Sequence, residues 1–318
     1  MIEKMNYYGE RSIPFLFVID FACKHLHCMP LADIDKNTVL YFVNGLTNAS
    51  DQIRHNKNIA FIRHAIPYEV YLKAFNKVRE QLDNGNTYLV NLTFPTTIEI
   101  NVTLKDIFFF SHARYKLWFN DAFVVFSPEP FLRISDCIIS AFPMKGTLDA
   151  SMENARETIL KDEKERAEHV TIVDLIRNDL SIVAKDVAVK RFRYIETIKT
   201  NRKSLLQISS EITGKLDPGY NERIGNIIFS LLPAGSVTGA PKKRTVEIIN
   251  STENYDRGYY TGVFGYFDGR NLDSAVMIRF MENTSGGYVF KSGGGITIYS
   301  DPKKEYQELN DKIYVPVV

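Results

Sequence analysis

The sequence has little cysteine, a single tryptophan and no surplus of either charge. Three cysteines among 318 residues are too few, and odd in number, for a disulfide framework. Lysine and arginine total 39 against 38 acidic residues, a net charge of +1. That balance gives no electrostatic reason for a polyanionic partner, so nucleic-acid binding is not expected. The longest apolar runs, 15–19 and 227–232, fall far short of the ~20 residues that cross a bilayer. The opening Met-Ile-Glu-Lys-Met-Asn has no basic stretch leading into an apolar one, so no signal peptide is expected. No repeat and no Gly/Ser- or Pro-rich linker divides the chain, which predicts a single domain over 1–318. Only six histidines occur, none beside a nucleophile elbow, and no dinucleotide fingerprint is present. Hydrophobic content of 45% with 24% charged residues is that of a folded globular chain. A soluble cytoplasmic protein with reduced thiols is the expectation.

The patterning mixes both periods. Residues 67–82 carry apolar Val70, Phe75, Val78 and Leu82, a helical spacing, with Pro67 suited to the first turn. Residues 87–100 are rich in β-branched side chains and read as a strand bent or interrupted at Pro95. Short strands follow over 116–141. From 151 to 179 the chain is strongly helical, with Ser151 as cap, a solvated charged half over 156–168 and a buried half from Val170. Helices are expected at 221–231 and 242–250. Strands are expected at 259–267, 272–281 and 288–291, with a turn at Asp268-Gly-Arg-Asn271. Asp301-Pro302 opens a final helix. Strands in runs, with helices grouped between them, predict an α+β fold with mostly antiparallel sheets.

Several motifs carry chemistry. Glu165-Arg-Ala-Glu168 and Glu305-Tyr-Gln-Glu308 each put two carboxylates on one helix face. Brought together they would suit Mg²⁺, a hard ion that takes carboxylate oxygens, keeps waters and binds anionic substrates. Ordinary solvated helix faces share the same spacing. Gly235-Ser-Val-Thr-Gly-Ala-Pro-Lys242 and Ser292-Gly-Gly-Gly-Ile296 expose backbone N–H groups able to hold a carboxylate, or serve as plain tight turns. Pro143-Met-Lys-Gly-Thr147 sets a lysine before a glycine turn. Burial there would disfavour the ammonium and leave a nucleophilic amine. Cys23-Lys-His-Leu-His-Cys28 offers four soft ligands, but one strand cannot wrap them tetrahedrally, and strand packing is the expected role.

Taken in order, these segments resemble the chorismate-binding enzymes: anthranilate synthase component I, aminodeoxychorismate synthase component I, isochorismate synthases and salicylate synthases. The resemblance runs from about Tyr88 to the C-terminus, the catalytic core being 86–318 and 1–85 a shortened N-terminal part. It rests on Ser127-Pro-Glu-Pro-Phe131, Pro143-Met-Lys-Gly-Thr147, the stretch 168–180, Pro233 to Lys242, Gly262-Val-Phe-Gly-Tyr266, Ser292 to Ile296 and Glu305-Tyr-Gln-Glu308. It implies one domain of two large, mostly antiparallel sheets packed together with helices outside. Lysine at 145, where anthranilate synthases typically carry alanine, points to the aminodeoxychorismate synthase branch. The family mechanism then implies attack of Lys145 on C2 of chorismate, Glu129 as general acid, and Mg²⁺ held by Glu168 and Glu308 with Glu165 and Glu305 in support. Arg279 matches the grip on the enolpyruvyl carboxylate. Thr147, Thr238, Gly239, Tyr260, Gly293, Gly294 and Gly295 match substrate-contacting positions.

Three departures accompany the resemblance. Leu89 stands where water-using relatives place a lysine base, which argues against an isochorismate or salicylate synthase. Gln207 replaces a common histidine. Tryptophan-binding elements are not recognisable, so feedback by tryptophan is not expected. No amidotransferase nucleophile motif occurs, so ammonia is expected from a separate glutamine amidotransferase subunit, in para-aminobenzoate and folate biosynthesis. The rivals are anthranilate synthase component I and a non-catalytic relative that binds chorismate or a partner.

Overall fold

A computed structural model of the chain describes residues 1–50, 59–161, 163–199 and 204–316. Asp162, in the charged stretch read as helix, lies outside them. The chain folds into two compact units, each built from three separated segments. Unit 1 comprises Met1–Asp33, Glu129–Ser236 and Val263–Val276; unit 2 comprises Ile34–Pro128, Val237–Gly262 and Met277–Val318. Each unit contains one nine-stranded sheet, and the strand pairings are antiparallel. The expected α+β class with two large antiparallel sheets is the one the chain adopts.

In unit 1 the hydrogen-bonded order is Met144–Asp149, Ser204–Lys215, Ile138–Ala141, Pro130–Ser135, Leu272–Val276, Val263–Phe267, Phe15–Ile19 and Leu26–Pro30, with Lys185–Lys199 also on Ser204–Lys215. Phe15–Ile19 is five apolar residues, all buried, as a strand covered on both faces requires. The helix Glu163–Ser181 packs on Met144–Asp149, Lys185–Lys199 and Ser204–Lys215. It buries Ile172, Val173 and Leu180. The division expected inside it is displaced: Glu168 and His169 are already buried, while Val170 is exposed. Ser151 is not its cap, since its hydroxyl donates to Asp149 Oδ1 at 2.7 Å. Helix is also described over Ala155–Lys161, with Asp162 between the two stretches outside the described residues.

In unit 2 the order is Gly239–Ala240, Leu89–Ile100, Gly287–Ile296, Phe280–Thr284, Phe123–Ser127, Tyr115–Phe119, Val39–Val43 and Leu46–Thr47, with Phe61–His64 also on Leu89–Ile100. Leu89–Ile100 runs on through Pro95, which stays in register opposite Lys291. The expected break is therefore absent. One core cluster gathers Leu104, Ile107, Phe108, Trp118, Val124, Phe126 and Phe290. The helix Leu104–Phe110 enters it through a capping box between Thr103 and Asp106. In Tyr68–Asp83 the buried stripe is Tyr71, Ala74, Phe75, Val78 and Leu82, whereas Val70 faces outward. Asp301 caps Pro302–Asp311 by accepting from Lys303 and Lys304 N–H.

The strand expected over 272–281 is two strands, Leu272–Val276 and Phe280–Thr284. The chain leaves one unit for the other after Val276, and Arg279 between the two strands takes a left-handed φ of 52°, far from extended strand geometry. Among the Cys23 to Cys28 residues, the strand begins only at Leu26. Cys23 sits in a turn at φ 57°, and Cys28 is buried. Among the described residues, no helix is long and apolar enough to cross a membrane.

Candidate active site

Unit 1 brings Lys145 to the acidic helix. Lys145 lies on Met144–Asp149 opposite Ile208, and the register slips between Lys145 and Thr147. Gly146 makes that bulge at φ 65°, and a Cβ there would stand 3.3 Å from Glu165 Oε2. Glycine thus supplies both the left-handed turn and the close approach of the carboxylate. Lys145 Nζ is 3.4 Å from Glu168 Oε2, with the side chains 22% and 7% exposed. The amine is therefore largely withdrawn from water and faces a buried carboxylate. Next along the helix, His169 is fully buried and its Nε2 is 2.7 Å from Ser210 Oγ. Burial first, then the charges of Arg193 and Lys145, hold its pKa down to about 4, so the imidazole is neutral at pH 7.

Glu129 also belongs to unit 1. Ser236 Oγ donates to its Oε1 at 2.5 Å, and Val276 N–H donates to its carbonyl at 3.1 Å. It borders a mostly apolar cleft that also takes in Phe131, Pro143, Ile176, Asp179 and Ser236. Lys145 and Glu168 are not among its lining residues, but Pro143 of the Lys145 segment and Ile176 and Asp179 of the Glu168 helix are. Thr147 pairs with Gln207 in the strand register. Gln207 Oε1 is buried with no hydrogen-bond partner among the described residues.

Unit 2 holds the other acidic pair. Glu305, buried, and Glu308, exposed, sit on Pro302–Asp311. A Cβ on Gly294 would lie 3.8 Å from an oxygen of each carboxylate. Lys312 Nζ bonds Glu308 Oε1 at 2.7 Å and Gly293 O at 2.9 Å, fixing the helix end to the glycine strand. The Tyr71 hydroxyl is buried without a hydrogen-bond partner. Burial, then Glu305 and Glu308, push its pKa up, so the phenol keeps its proton. Gly239 has φ 128°, and a Cβ there would fall 1.9 Å from Leu89 O; only glycine fits against Leu89, itself 2% exposed. Thr238 and Tyr260 are buried. Arg279 combines the left-handed backbone with a buried Nε that has no hydrogen-bond partner. Its guanidinium lies 5.4 Å from the Tyr314 ring centre. A side chain held in a conformation costing about 1–2 kcal/mol, with a donor unspent, is suited to gripping an anion.

The sequence reading passed over a buried ion pair in unit 2. Arg257 and Glu253, both 2% exposed, meet at 2.7 Å. Sequence shows only an acid and a base four apart after a helix, a spacing usual on solvated surfaces. Their burial is the signal, and it exists only in three dimensions. Ser236, Lys312 and Tyr71 were missed for the same reason.

Among the described residues, no three His, Cys, Asp or Glu side chains gather closely enough to hold a metal ion by themselves. Each unit instead offers a two-carboxylate pair, Glu165 with Glu168 and Glu305 with Glu308. Oxygen-only donors in such numbers fit Mg²⁺, which takes one or two carboxylates and keeps waters or substrate oxygens.

The family model for chorismate binding enzymes matches residues 26–317. The chain belongs to the chorismate binding enzyme family. It is 46% identical over 316 residues to an uncharacterized PabA-like protein of Haemophilus influenzae, covering 99% of this chain and 96% of that one. It is 32% identical both to anthranilate synthase component 1 of Archaeoglobus fulgidus and to aminodeoxychorismate synthase component 1 of Bacillus subtilis. Those matches cover 83% and 77% of this chain, and 64% and 54% of theirs. Among solved structures, the menaquinone-specific isochorismate synthase MenF of Escherichia coli superposes with a TM-score of 0.75 at 16% identity, covering 97% of this chain and 79% of that one. As a chorismate binding enzyme, this chain shares its fold with MenF, and at that identity the likeness extends to the fold alone.

Proposed function

We propose that this chorismate binding enzyme is an aminodeoxychorismate synthase component I, converting chorismate and ammonia to 4-amino-4-deoxychorismate. The observation that carries the reading is Lys145, a largely buried amine on a strand beside Glu168. Equal identity to an anthranilate synthase and an aminodeoxychorismate synthase does not separate the two activities; the lysine at 145 supports the second.

In this reading neutral Lys145 Nζ forms a bond to ring C2, the two conjugated ring double bonds shift in turn towards C4, and the 4-hydroxyl leaves as water with a proton from Glu129. Ammonia then bonds to C4, the double bonds shift back, and the Lys145 nitrogen departs from C2 with its electron pair. Arg279 binds the enolpyruvyl carboxylate through its unspent donor. Thr147, Thr238, Gly239, Tyr260 and Gly293 to Gly295 line the substrate. Glu168 and Glu308, supported by Glu165 and Glu305, would hold Mg²⁺, which would supply counter-charge for the ring carboxylate. The ammonia comes from a glutamine amidotransferase partner.

Incubation with chorismate, Mg²⁺ and ammonium, followed by product mass, tests the proposal. The expected product retains the enolpyruvyl group. Release of anthranilate with pyruvate overturns the reading, and turnover of glutamine by the chain alone removes the partner.

A further inference from the structure

We infer that Arg257 is a positioning residue for the substrate, setting the Thr238–Gly239 turn, the glycine strand and Tyr260 in one arrangement. The inference rests on the reading that those segments contact chorismate. All five guanidinium N–H groups are spent. Nε and Nη2 donate to Glu253 Oε2 and Oε1 at 2.8 and 2.7 Å. Nη1 donates to Val237 O at 2.9 Å and to Thr261 Oγ1 at 3.3 Å. Nη2 also donates to Asn91 O at 2.6 Å.

The acceptors matter as much as the count. Val237 immediately precedes Thr238, and Thr261 immediately follows Tyr260. Asn91 stands opposite Gly295 in the strand register. Glu253 extends the same contact, accepting from Thr93 N–H and Oγ–H, both at 2.9 Å, and Thr93 stands opposite Gly293. One buried ion pair therefore touches the residue next to, or across from, each proposed substrate segment of this unit except Arg279. From the other side Lys291 Nζ, paired with Glu282 at 2.8 Å, donates to Arg257 O at 3.0 Å. An ion pair kept only for stability is replaceable by apolar packing of similar volume. A fork whose donors end on the carbonyls of Val237 and Asn91 and on the Thr261 hydroxyl, each flanking a proposed substrate segment, is not, because no apolar side chain holds those acceptors.

Arg257→Lys keeps the charge but has three donors in place of five. Chorismate affinity by calorimetric titration, kcat and the thermal midpoint are measured for this variant and for Ile107→Ala, which opens a cavity in the apolar cluster of the same unit. Arg257→Lys is expected to weaken chorismate binding about tenfold or more, with a smaller change in kcat at saturation. Ile107→Ala is expected to lower the midpoint while leaving affinity within about twofold. Should Arg257→Lys not fold, Glu253→Gln, of the same shape, serves instead and is expected to weaken binding at least about threefold. Wild-type binding with affinity unaltered in the variant, or altered no more than by Ile107→Ala, overturns the inference alone. A wild-type chain that does not bind chorismate overturns the functional reading as well.

Discussion

Lys145 and Glu168 form an ion pair, Nζ to Oε2 3.4 Å, in which the carboxylate is 7% exposed and the lysine 22%. The strand is hydrogen-bonded to Ser204–Lys215 and the helix packs on it, so the amine is presented by a regular element rather than by a loop. A lysine held this way differs from a surface lysine in one respect that matters for catalysis: little water competes for its lone pair once the proton is gone.

Lys145→Ala is expected to lower kcat for amination at least about a hundredfold while chorismate affinity changes only a few-fold, because the lost atom acts in bond formation. Loss of the contact between Lys145 Nζ and Glu168 should also cost about 1–3 kcal/mol of stability. Steady-state kinetics with a denaturation curve check both. An unchanged kcat takes Lys145 out of the mechanism.

Glu168→Gln and Glu308→Gln are expected to raise the Mg²⁺ concentration for half-maximal activity roughly tenfold each, since an amide is a weaker ligand than a carboxylate. Direct Mg²⁺ titration of chorismate-bound protein should show the same order of loss. Identical metal dependence in both variants would contradict the assignment.

Gly239→Ala is expected to be far more damaging than Gly146→Ala. The new methyl at 239 would overlap a backbone oxygen at 1.9 Å in a φ 128° conformation, a clash no side-chain movement relieves. At 146 the neighbour is a glutamate tip at 3.3 Å, and the strain is about 1–2 kcal/mol. Thermal midpoints decide; comparable losses would mean that the turn at 239 relaxes freely.

Lys116 gives a pH signature. Burial pushes its amine down to about 8, although Nζ donates to Phe108 O and Ser111 O at 3.0 Å each. Between about pH 8 and 10.5 the unfolded chain holds a proton here that the folded chain has released, so this group's contribution to stability rises with pH, by up to about 3 kcal/mol. Below pH 8 both states are protonated and the contribution is flat. Denaturant unfolding of wild type and Lys116→Met at pH 7.5 and 9.5 should show wild type gaining on the variant. Parallel pH dependence would refute it.

By itself the sequence determined the α+β class, the helices around 67–82 and 301–311, the absence of any apolar run long enough for a membrane helix and the family. Those follow from local rules: side-chain period, the Asp301 cap, and motif residues whose spacing survives along the chain. Tertiary structure decided the rest. Pro95 looked like a strand breaker, yet cross-strand pairing with Gly287–Ile296 carries the strand through it. Residues 272–281 read as one strand because periodicity cannot register that the chain changes units at Val276. Arg257 and Glu253 read as a surface pair, because burial depends on what packs over a residue rather than on its neighbours in sequence. Whether a charge is solvated or enclosed is a property of the whole fold, and on that property the candidate site depends.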